Sequence, residues 1–299
     1  LAFPTIVEQP HPKPPAAPRA KTTTIDAMQS KNRNTAWNLE KPPFPTEGDG
    51  TTTPAFTTAN PRGRLDSFAL KVLAIVAMTA NHAAYIFYFH LPAEVLGVFF
   101  TVGGLTFPIM AFLLVEGYNH TSDFRRYATR LLAFALVSEV PFYLFLAQEL
   151  NVLFTLLLGL IALRLYDDWG PGSAKFWLAF VVIVFASDFC DWGVIGPIMV
   201  VMMRAIPDRR KRVVFPILLV MAAIGLPNLM YAIAAASTIA LPFALYAFLG
   251  SGADIPLLLS YNGQRGHSMK WFFYAYYPAH IAVLGLVKGL IFGDWTVAF

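Results

Sequence analysis

The chain has 299 residues, of which 57% are hydrophobic and only 13% charged, whereas charged residues make up about 25% of ordinary soluble domains. This composition excludes a soluble globular protein and favours a polytopic membrane protein. The formal net charge of +4 would suit a nucleic-acid-binding protein, but the basic residues cluster between apolar segments. Membrane topology explains that pattern, so no nucleic-acid partner is expected. Cys190 is the single cysteine, which excludes an intrachain disulfide and a thiolate metal cluster.

Residues 1–64 form a Pro/Thr-rich N-terminal segment with short threonine runs at 22–24 and 51–53. The segment lacks apolar periodicity, and such a composition cannot bury enough surface to offset the entropy lost on ordering. We therefore predict a disordered cytoplasmic tail over 1–64, followed by a membrane domain over 65–299.

The membrane domain contains nine apolar segments, which predict an all-α fold, a polytopic bundle of about nine transmembrane helices. A helix needs about 20 residues to cross the bilayer core. The fourth to seventh segments are shorter than this, so we expect them to be tilted into thin membrane, broken or partly re-entrant. The nine segments are 69–89, 95–115, 127–147, 152–166, 175–187, 193–206, 212–226, 229–249 and 271–292.

The connectors between these segments alternate in charge. Lys and Arg cluster in every second connector, and the connectors near 90–94, 148–151, 188–192 and 226–228 contain neither. Because basic connectors stay in the cytoplasm, the pattern predicts a cytoplasmic N-terminus and a C-terminus at Phe299 on the outer side.

His82 lies inside the first apolar segment, directly after Asn81. Ionisable groups at this depth are costly unless they are paired or hydrated, so they mark functional sites. A histidine that only bonds a neighbouring helix and helps packing is the alternative. Lys71, Met78 and Tyr85 share one helical face with His82, and such a polar face points into a bundle rather than to lipid.

The last apolar segment carries a similar face with Lys270, Tyr274, Tyr277 and His280, for which an aromatic packing face is the alternative. Glu139 lies past the middle of the third segment.

Asp188 and Asp191 occupy an outer connector. His82, Glu139 and Asp188 lack the spacing of a metal site, so no metal is expected.

A second polar group is expected at the cytoplasmic ends. Guanidinium groups match phosphate oxygens in a bidentate manner, so Arg125, Arg126 and Arg130 with Lys270 are candidate phosphate ligands. Ordinary positive-inside topology explains most of these residues equally well, although Arg130 lies within the helix. The same group contains Tyr118, His120 and Arg265.

Several runs of this sequence resemble the TraX family, over about residues 66–292. The resemblance rests on their order and spacing, and on the long Gly-Tyr-x-His-Thr and Phe-Tyr-x-x-Tyr-Pro-x-His patterns. The longest runs are LVEGYNHT at 114–121, FALVSEVPF at 134–142 and FYAYYPAH at 273–280.

The resemblance implies a bacterial inner-membrane protein of a conjugation system that transfers acetyl from acetyl-CoA to the N-terminal amine of a processed pilin. It would make His82 a general base or a transient acetyl carrier, with Glu139 or Asp188 orienting it. An acidic residue usually precedes this histidine in the family. Asn81 stands there in this chain, and an amide can orient an imidazole but supplies no charge.

The remaining roles follow from the same resemblance. Arg125, Arg126, Arg130 and Lys270 would hold the phosphates of CoA, beside Tyr118, His120 and Arg265. His280 with Tyr277 would polarise the acetyl carbonyl or relay a proton, and Asp188 and Asp191 would contact the pilin.

Two other classes of function remain open. A transporter or channel would use His82, Glu139 and His280 as a proton relay, although the odd span count and the lack of a clear inverted repeat speak against it. A non-enzymatic assembly factor would bind pilin or type IV secretion components.

Overall fold

A computed structural model describes residues 59–235 and 240–298 of the chain. The disorder predicted for residues 1–58 therefore lies outside the described residues. Near the end of the predicted tail, Asn60 N–H donates to Tyr261 O at 2.7 Å, and Leu65, the first residue of the predicted membrane domain, donates through its N–H to Ser260 O at 3.1 Å.

The described residues fold into α-helices, with two isolated bridges in place of a sheet. We number the helices α1 (Ser67–Ile86), α2 (Ala93–Gly103), α3 (Thr106–Asn119), α4 (Phe124–Phe145), α5 (Val152–Trp169), α6 (Ala174–Ser187), α7 (Ile195–Ala205), α8 (Lys211–Val220), α9 (Leu226–Ala234), α10 (Leu241–Leu245), α11 (Ser251–Leu259) and α12 (Lys270–Phe292).

Local capping explains where three of these helices begin. The Asp66 side chain accepts a hydrogen bond from Ala69 N at 2.8 Å to start α1, and Asp123 accepts from Arg126 N at 2.8 Å to start α4. Asn151 accepts from Leu153 N at 3.0 Å to start α5. Each side chain satisfies a backbone donor that the first helical turn leaves free.

In the part of the chain that the structure describes, six helical stretches are long and apolar enough to cross a membrane, which confirms the predicted all-helical membrane fold. The predicted count of nine is not confirmed, because α6 and α7 have 14 and 11 residues and α5 carries Arg164, Asp167 and Asp168. The six stretches are Ser67–Ile86, Ala93–Asn119, Phe124–Phe145, Lys211–Ala234, Leu241–Leu259 and Lys270–Phe292.

The prediction of a connector at 226–228 is wrong, because these residues lie within a helix. A π-helical turn, Met221–Gly225, joins α8 directly to α9 in one stretch, Lys211–Ala234. Pro227 lies in the first turn of α9, where a missing N–H costs little, so this proline does not end the helix. A second π-helical turn, Tyr246–Gly250, joins α10 to α11.

The basic connectors meet at one end of the bundle. Tyr261 OH donates to Glu116 Oε1 at 3.1 Å, Tyr118 OH donates to Asp167 Oδ2 at 3.0 Å, and Arg204 pairs with Asp167 at 2.9 Å. Two of the connectors without Lys or Arg, 148–151 and 188–192, meet at another end, where Leu150 bridges to Cys190. We call these the basic end and the Cys190 end.

Candidate functional site

Two buried histidines from α1 and α12 are hydrogen-bonded to each other. His82 and His280 are 4% and 6% exposed, and His82 Nδ1 lies 2.7 Å from His280 Nε2. Their ring planes are inclined by only 8°. The histidines predicted from separate segments therefore form one site.

A backbone carbonyl fixes the proton positions in this pair. His280 Nδ1 lies 2.8 Å from Tyr276 O, one turn earlier in α12. A carbonyl oxygen can only accept, so His280 Nδ1 carries the proton and, in the neutral ring, Nε2 accepts. His82 Nδ1–H is then the donor to His280 Nε2. The network thus leaves the lone pair on His82 Nε2.

Tyr277 forms the neighbouring wall of this site. Its ring centroid lies 6.0 Å from that of His82, and the residue is 3% exposed. Its hydroxyl is buried, the backbone N–H of Val152 acts on its oxygen, and its proton meets no acceptor within the described residues. A buried donor without a partner is costly, so the hydroxyl is available to a ligand.

A cavity of roughly 320 Å³ runs beside Tyr277, between α1, α3, α4, α5 and α12. Its cationic lining residues are Lys71, Arg130 and Lys270, which come from the basic end. Apolar side chains line much of the rest: Ala74, Ile75, Met78, Met110, Leu113, Leu114, Leu131, Leu153, Leu156 and Phe273. The two polar faces predicted on α1 and α12 both contribute to this lining.

The lining of the cavity suits a ligand that combines anionic groups with an aliphatic part. Arg130 Nε is buried and has no partner within the described residues, as expected of a guanidinium that awaits an anion. The apolar walls suit an aliphatic arm, and the free Tyr277 hydroxyl suits a carbonyl oxygen. The volume is typical of small-molecule sites.

Five residues predicted to bind CoA do not line this cavity. Tyr118 OH is bonded to Asp167, and His120 Nδ1 lies 2.9 Å from Glu116 O at the end of α3. Arg125 and Arg126 are exposed in the first turn of α4, and Arg265 bonds Ser268 Oγ at 3.0 Å.

Of the side chains predicted to act with His82, Glu139 has hydrogen-bond partners in another segment, whereas Asn81 Oδ1 is buried without a partner within the described residues. Glu139 Oε2 accepts from Asn151 Nδ2 at 2.6 Å and from Asn151 N at 3.1 Å. Asn81 packs against Gly103, where an added Cβ would lie 2.6 Å from Asn81 Oδ1. The observed hydrogen-bond partner of His82 is His280, and the orientation of His82 by Glu139 or Asp188 stays a prediction.

The two aspartates of the outer connector differ in position. Asp188 is exposed at the end of α6, and Asp191 is partly buried. Desolvation and the nearby Glu149 carboxylate raise the pKa of Asp191 to about 7.

One buried carboxyl group, that of Asp254, was not predicted from the sequence. Asp254 in α11 is 0% exposed, and neither oxygen has a hydrogen-bond partner within the described residues. Sequence reasoning missed it because the apolar segment was ended at 249, whereas the helix continues to Leu259. Across residues 59–235 and 240–298, no three His, Cys, Asp or Glu side chains are grouped to hold a metal ion.

These features define a polytopic helical membrane protein with a buried histidine pair and a cation-lined cavity. Residues 67–288 match the family model described as TraX protein, and the chain belongs to the TraX family. It is also 33% identical, over 242 residues, to "Probable fimbrial assembly protein FimC, serogroup H1" of Dichelobacter nodosus. That match covers 74% of this chain and 95% of the relative. No solved structure matches the chain.

Proposed function

We propose that this protein is an acetyltransferase that moves acetyl from acetyl-CoA to the N-terminal amine of a pilin-like acceptor. The observation that carries the proposal is the 2.7 Å hydrogen bond between His82 and His280, which leaves His82 Nε2 free to accept a proton. The family and the fimbrial name of the relative support a pilus-related substrate.

In this proposal acetyl-CoA supplies an activated acyl carbon and a thiol leaving group. The attacking amine loses a proton to His82 Nε2 as the N–C bond forms, and His82 returns this proton to the departing thiolate as the C–S bond breaks. His280 receives the Nδ1–H bond and stabilises the positive charge that His82 gains. The reference pKa of an α-amine is about 8, so the base needs to provide only modest help.

The Tyr277 hydroxyl is the proposed donor to the acetyl carbonyl oxygen. Negative charge develops on that oxygen during acyl transfer, and a preorganised donor in a water-poor site stabilises it strongly. The Tyr277 ring lies beside His82, and the buried hydroxyl has no acceptor for its proton within the described residues, which supports this role.

The clustering of Lys and Arg at the basic end supports an orientation in a bacterial inner membrane with this end facing the cytoplasm. Lys71, Arg130 and Lys270 would then meet cytoplasmic CoA, and the acceptor would arrive from the Cys190 end. The predicted periplasmic C-terminus belongs to the same proposal.

Two alternative functions, a transporter and a non-enzymatic assembly factor, make different demands on the buried residues. The transporter hypothesis used Glu139 in a relay with the histidines, but the Glu139 carboxylate is bonded to Asn151. A non-enzymatic assembly factor, acting on pilin or type IV secretion components, would bind pilin without any need for the two histidines.

The test is acetyl transfer by purified protein in nanodiscs, with acetyl-CoA and a peptide bearing a pilin-like free N-terminus. We expect His82→Ala to lower the rate by about 100-fold or more, and His280→Ala by at least about tenfold. The exposed His267 provides the matched control, and His267→Ala should retain the wild-type rate. Wild-type transfer by His82→Ala would refute the catalytic role, and pilus assembly by a His82/His280 double variant would favour the assembly factor.

A further inference from the structure

The side chain of Tyr276 reaches from α12 to α1 beside the histidine pair. Its hydroxyl oxygen lies 2.7 Å from Thr79 Oγ1. Thr79 Oγ1 donates its one proton to Ile75 O at 2.8 Å, so the Tyr276 hydroxyl is the donor in the bond to Thr79. Thr79 precedes His82 by three residues, and Tyr276 precedes His280 by four. The bond therefore joins the same two helices about one turn away from the histidine pair.

The aromatic ring of Tyr276 also packs on the imidazole of His280. The two ring centroids are 5.0 Å apart and the planes are inclined by 10°, which is an offset-stacked arrangement. The His280 plane is in turn inclined by 8° to that of His82. His280 Nδ1 also donates to the Tyr276 carbonyl oxygen at 2.8 Å. Tyr276 thus contacts both the face and one edge of the His280 ring.

The orientation of the His280 ring decides whether its Nε2 can accept the bond from His82. The lone pair of an imidazole nitrogen lies in the plane of the ring, so the bond requires that plane to be aligned with the donor. A half-turn of the His280 ring would exchange Nδ1 with Cδ2 and Nε2 with Cε1. Carbon atoms would then occupy both hydrogen-bonding positions. The carbonyl oxygen and the phenol ring of Tyr276 both oppose this rotation.

We propose that Tyr276 is a positioning residue for the histidine pair, with Thr79 as its anchor, a role that rests on the acetyl transfer proposed above. Tyr276 is not among the residues that line the cavity, so it acts through His280 and not on the substrate. The bond to Thr79 fixes the phenol ring, and the phenol ring keeps His280 Nε2 directed at His82. The face of an aromatic ring also attracts a neighbouring cation, so the stack stabilises the positive charge that the pair gains when His82 accepts a proton.

The first experiment measures kcat and KM for acetyl-CoA by the transfer assay in nanodiscs. Tyr276→Phe and Thr79→Val each remove the bond between the two hydroxyls and should lower kcat about threefold. The double variant should lose no more than either single variant, because both changes remove one shared interaction. Tyr276→Leu also removes the ring and should lower kcat at least about tenfold. The KM for acetyl-CoA should stay unchanged in all of them, because neither residue lines the cavity.

Thr101→Val in α2 is the matched control for Thr79→Val. Thr101 Oγ1 also donates to the carbonyl four residues earlier, that of Gly97, at 2.7 Å, but it lies in a helix without either histidine. We expect wild-type kcat from this control.

A second experiment observes the histidine pair without turnover. Nitrogen NMR spectra of the histidine rings, assigned by the signals lost in His82→Ala and in His280→Ala, report which ring nitrogen carries the proton. Wild type should show Nδ1 protonated in both rings. Tyr276→Leu should show a mixture of the two neutral forms for His280, and Tyr276→Phe, which keeps the ring, should stay close to wild type.

Wild-type kcat in Tyr276→Leu and Thr79→Val, in a protein whose wild type transfers acetyl, would refute this inference alone. A lower unfolding midpoint in Tyr276→Leu with unchanged histidine spectra would also overturn it, because the ring would then serve packing only. If Tyr276→Leu does not fold, additive losses of kcat in the Thr79→Val/Tyr276→Phe double variant would overturn the assignment. Altered histidine spectra in Tyr276→Leu, without transfer by wild type, would refute the proposed activity and leave Tyr276 as the residue that orients the pair.

Discussion

Buried charged and polar side chains in this protein fall into two groups, those with partners and those without. Glu139 is bonded to Asn151, Arg164 to Asp168, and Lys288 to Asp294. These pairs satisfy the groups they bury and tie neighbouring segments together. Arg130 Nε is buried without a hydrogen-bond partner within the described residues, and Arg130 and Tyr277 both line the cavity. Other unsatisfied buried groups, such as Thr106 Oγ1, Ser138 Oγ and the Asp254 carboxyl group, do not line it. An unsatisfied group therefore indicates the site only where it also lines the cavity.

Arg130 and Arg126 provide a direct test of the proposed phosphate site. Both were candidates from sequence, but the structure places only Arg130 in the cavity wall. We expect Arg130→Ala to weaken CoA binding about tenfold or more, because a charge-assisted hydrogen bond is lost. Arg126→Ala should bind CoA like wild type. Titration of each variant with CoA measures the difference, and equal losses in both would contradict the cavity as the phosphate site.

Asp254 should be uncharged in the folded protein. An ionised carboxylate without a partner inside the bundle would cost several kcal/mol. We therefore expect Asp254→Asn to change the free energy of unfolding by less than about 1 kcal/mol, because a neutral amide replaces a neutral acid of similar shape. Asp254→Lys should destabilise the protein by at least about 3 kcal/mol. Thermal unfolding in detergent measures both, and a large loss of stability in Asp254→Asn would show that the carboxylate is ionised and paired.

At the scale of helices, close backbone contact between the π-helical turn Tyr246–Gly250 and the start of α3 contributes to the packing of the bundle. Pro108 has no N–H, so it leaves the carbonyl of Gly104 without its usual helical donor. Ser251 Oγ donates to that carbonyl at 3.0 Å. The turn Tyr246–Gly250 approaches α3 here, and an added Cβ at Gly250 would lie 2.8 Å from Gly104 Cα. Such backbone approach requires glycine on both sides.

Gly250→Ala should therefore destabilise the protein by about 1–3 kcal/mol, because the new methyl group overlaps backbone that cannot move away. Gly97→Ala in α2 is the matched control, since an added Cβ there meets nothing within 4 Å. Midpoints of thermal unfolding in detergent should fall for the first variant and stay unchanged for the second. Equal midpoints would show that the two helices are less closely packed at this turn.

The sequence predicts where most helices occur, but it does not predict which neighbouring helices join into one continuous stretch. Long apolar runs give a local signal, so the runs beginning near 69, 127 and 271 predict α1, α4 and α12 well. The π-helical turns at Met221–Gly225 and Tyr246–Gly250 depend on contacts with neighbouring helices, such as Gly225 with Phe248. In a sequence, a proline such as Pro227 predicts the end of a helix. In the folded protein the helical stretch continues through it.

At the scale of the whole molecule, charge is divided between the two ends of the bundle. Arg204 and Tyr118 meet at Asp167 on the basic end, and the Cys190 end is formed by connectors without Lys or Arg. This separation is the physical basis for the proposed orientation in the membrane. It also separates the proposed CoA entry from the end at which the acceptor would arrive.

Cysteine labelling tests this orientation in intact cells. In a Cys190→Ala background, Ser122→Cys on the basic end should react only after the membrane is permeabilised. Asp188→Cys on the other end should react with an impermeant maleimide added from outside. Both positions are exposed. Labelling of both variants from the same side would contradict the orientation and the proposed route of the acceptor.

The sequence by itself determined the class of this protein, the alternation of charge between its connectors, and His82, His280, Tyr277 and Arg130 as candidate site residues. These follow from composition and helical periodicity, which are local properties of the chain. Only the tertiary structure decided which residues meet. His82 pairs with a residue 198 positions away, and Glu139 is bonded 12 positions away. Partners at such separations are selected by helix packing, which no local pattern encodes.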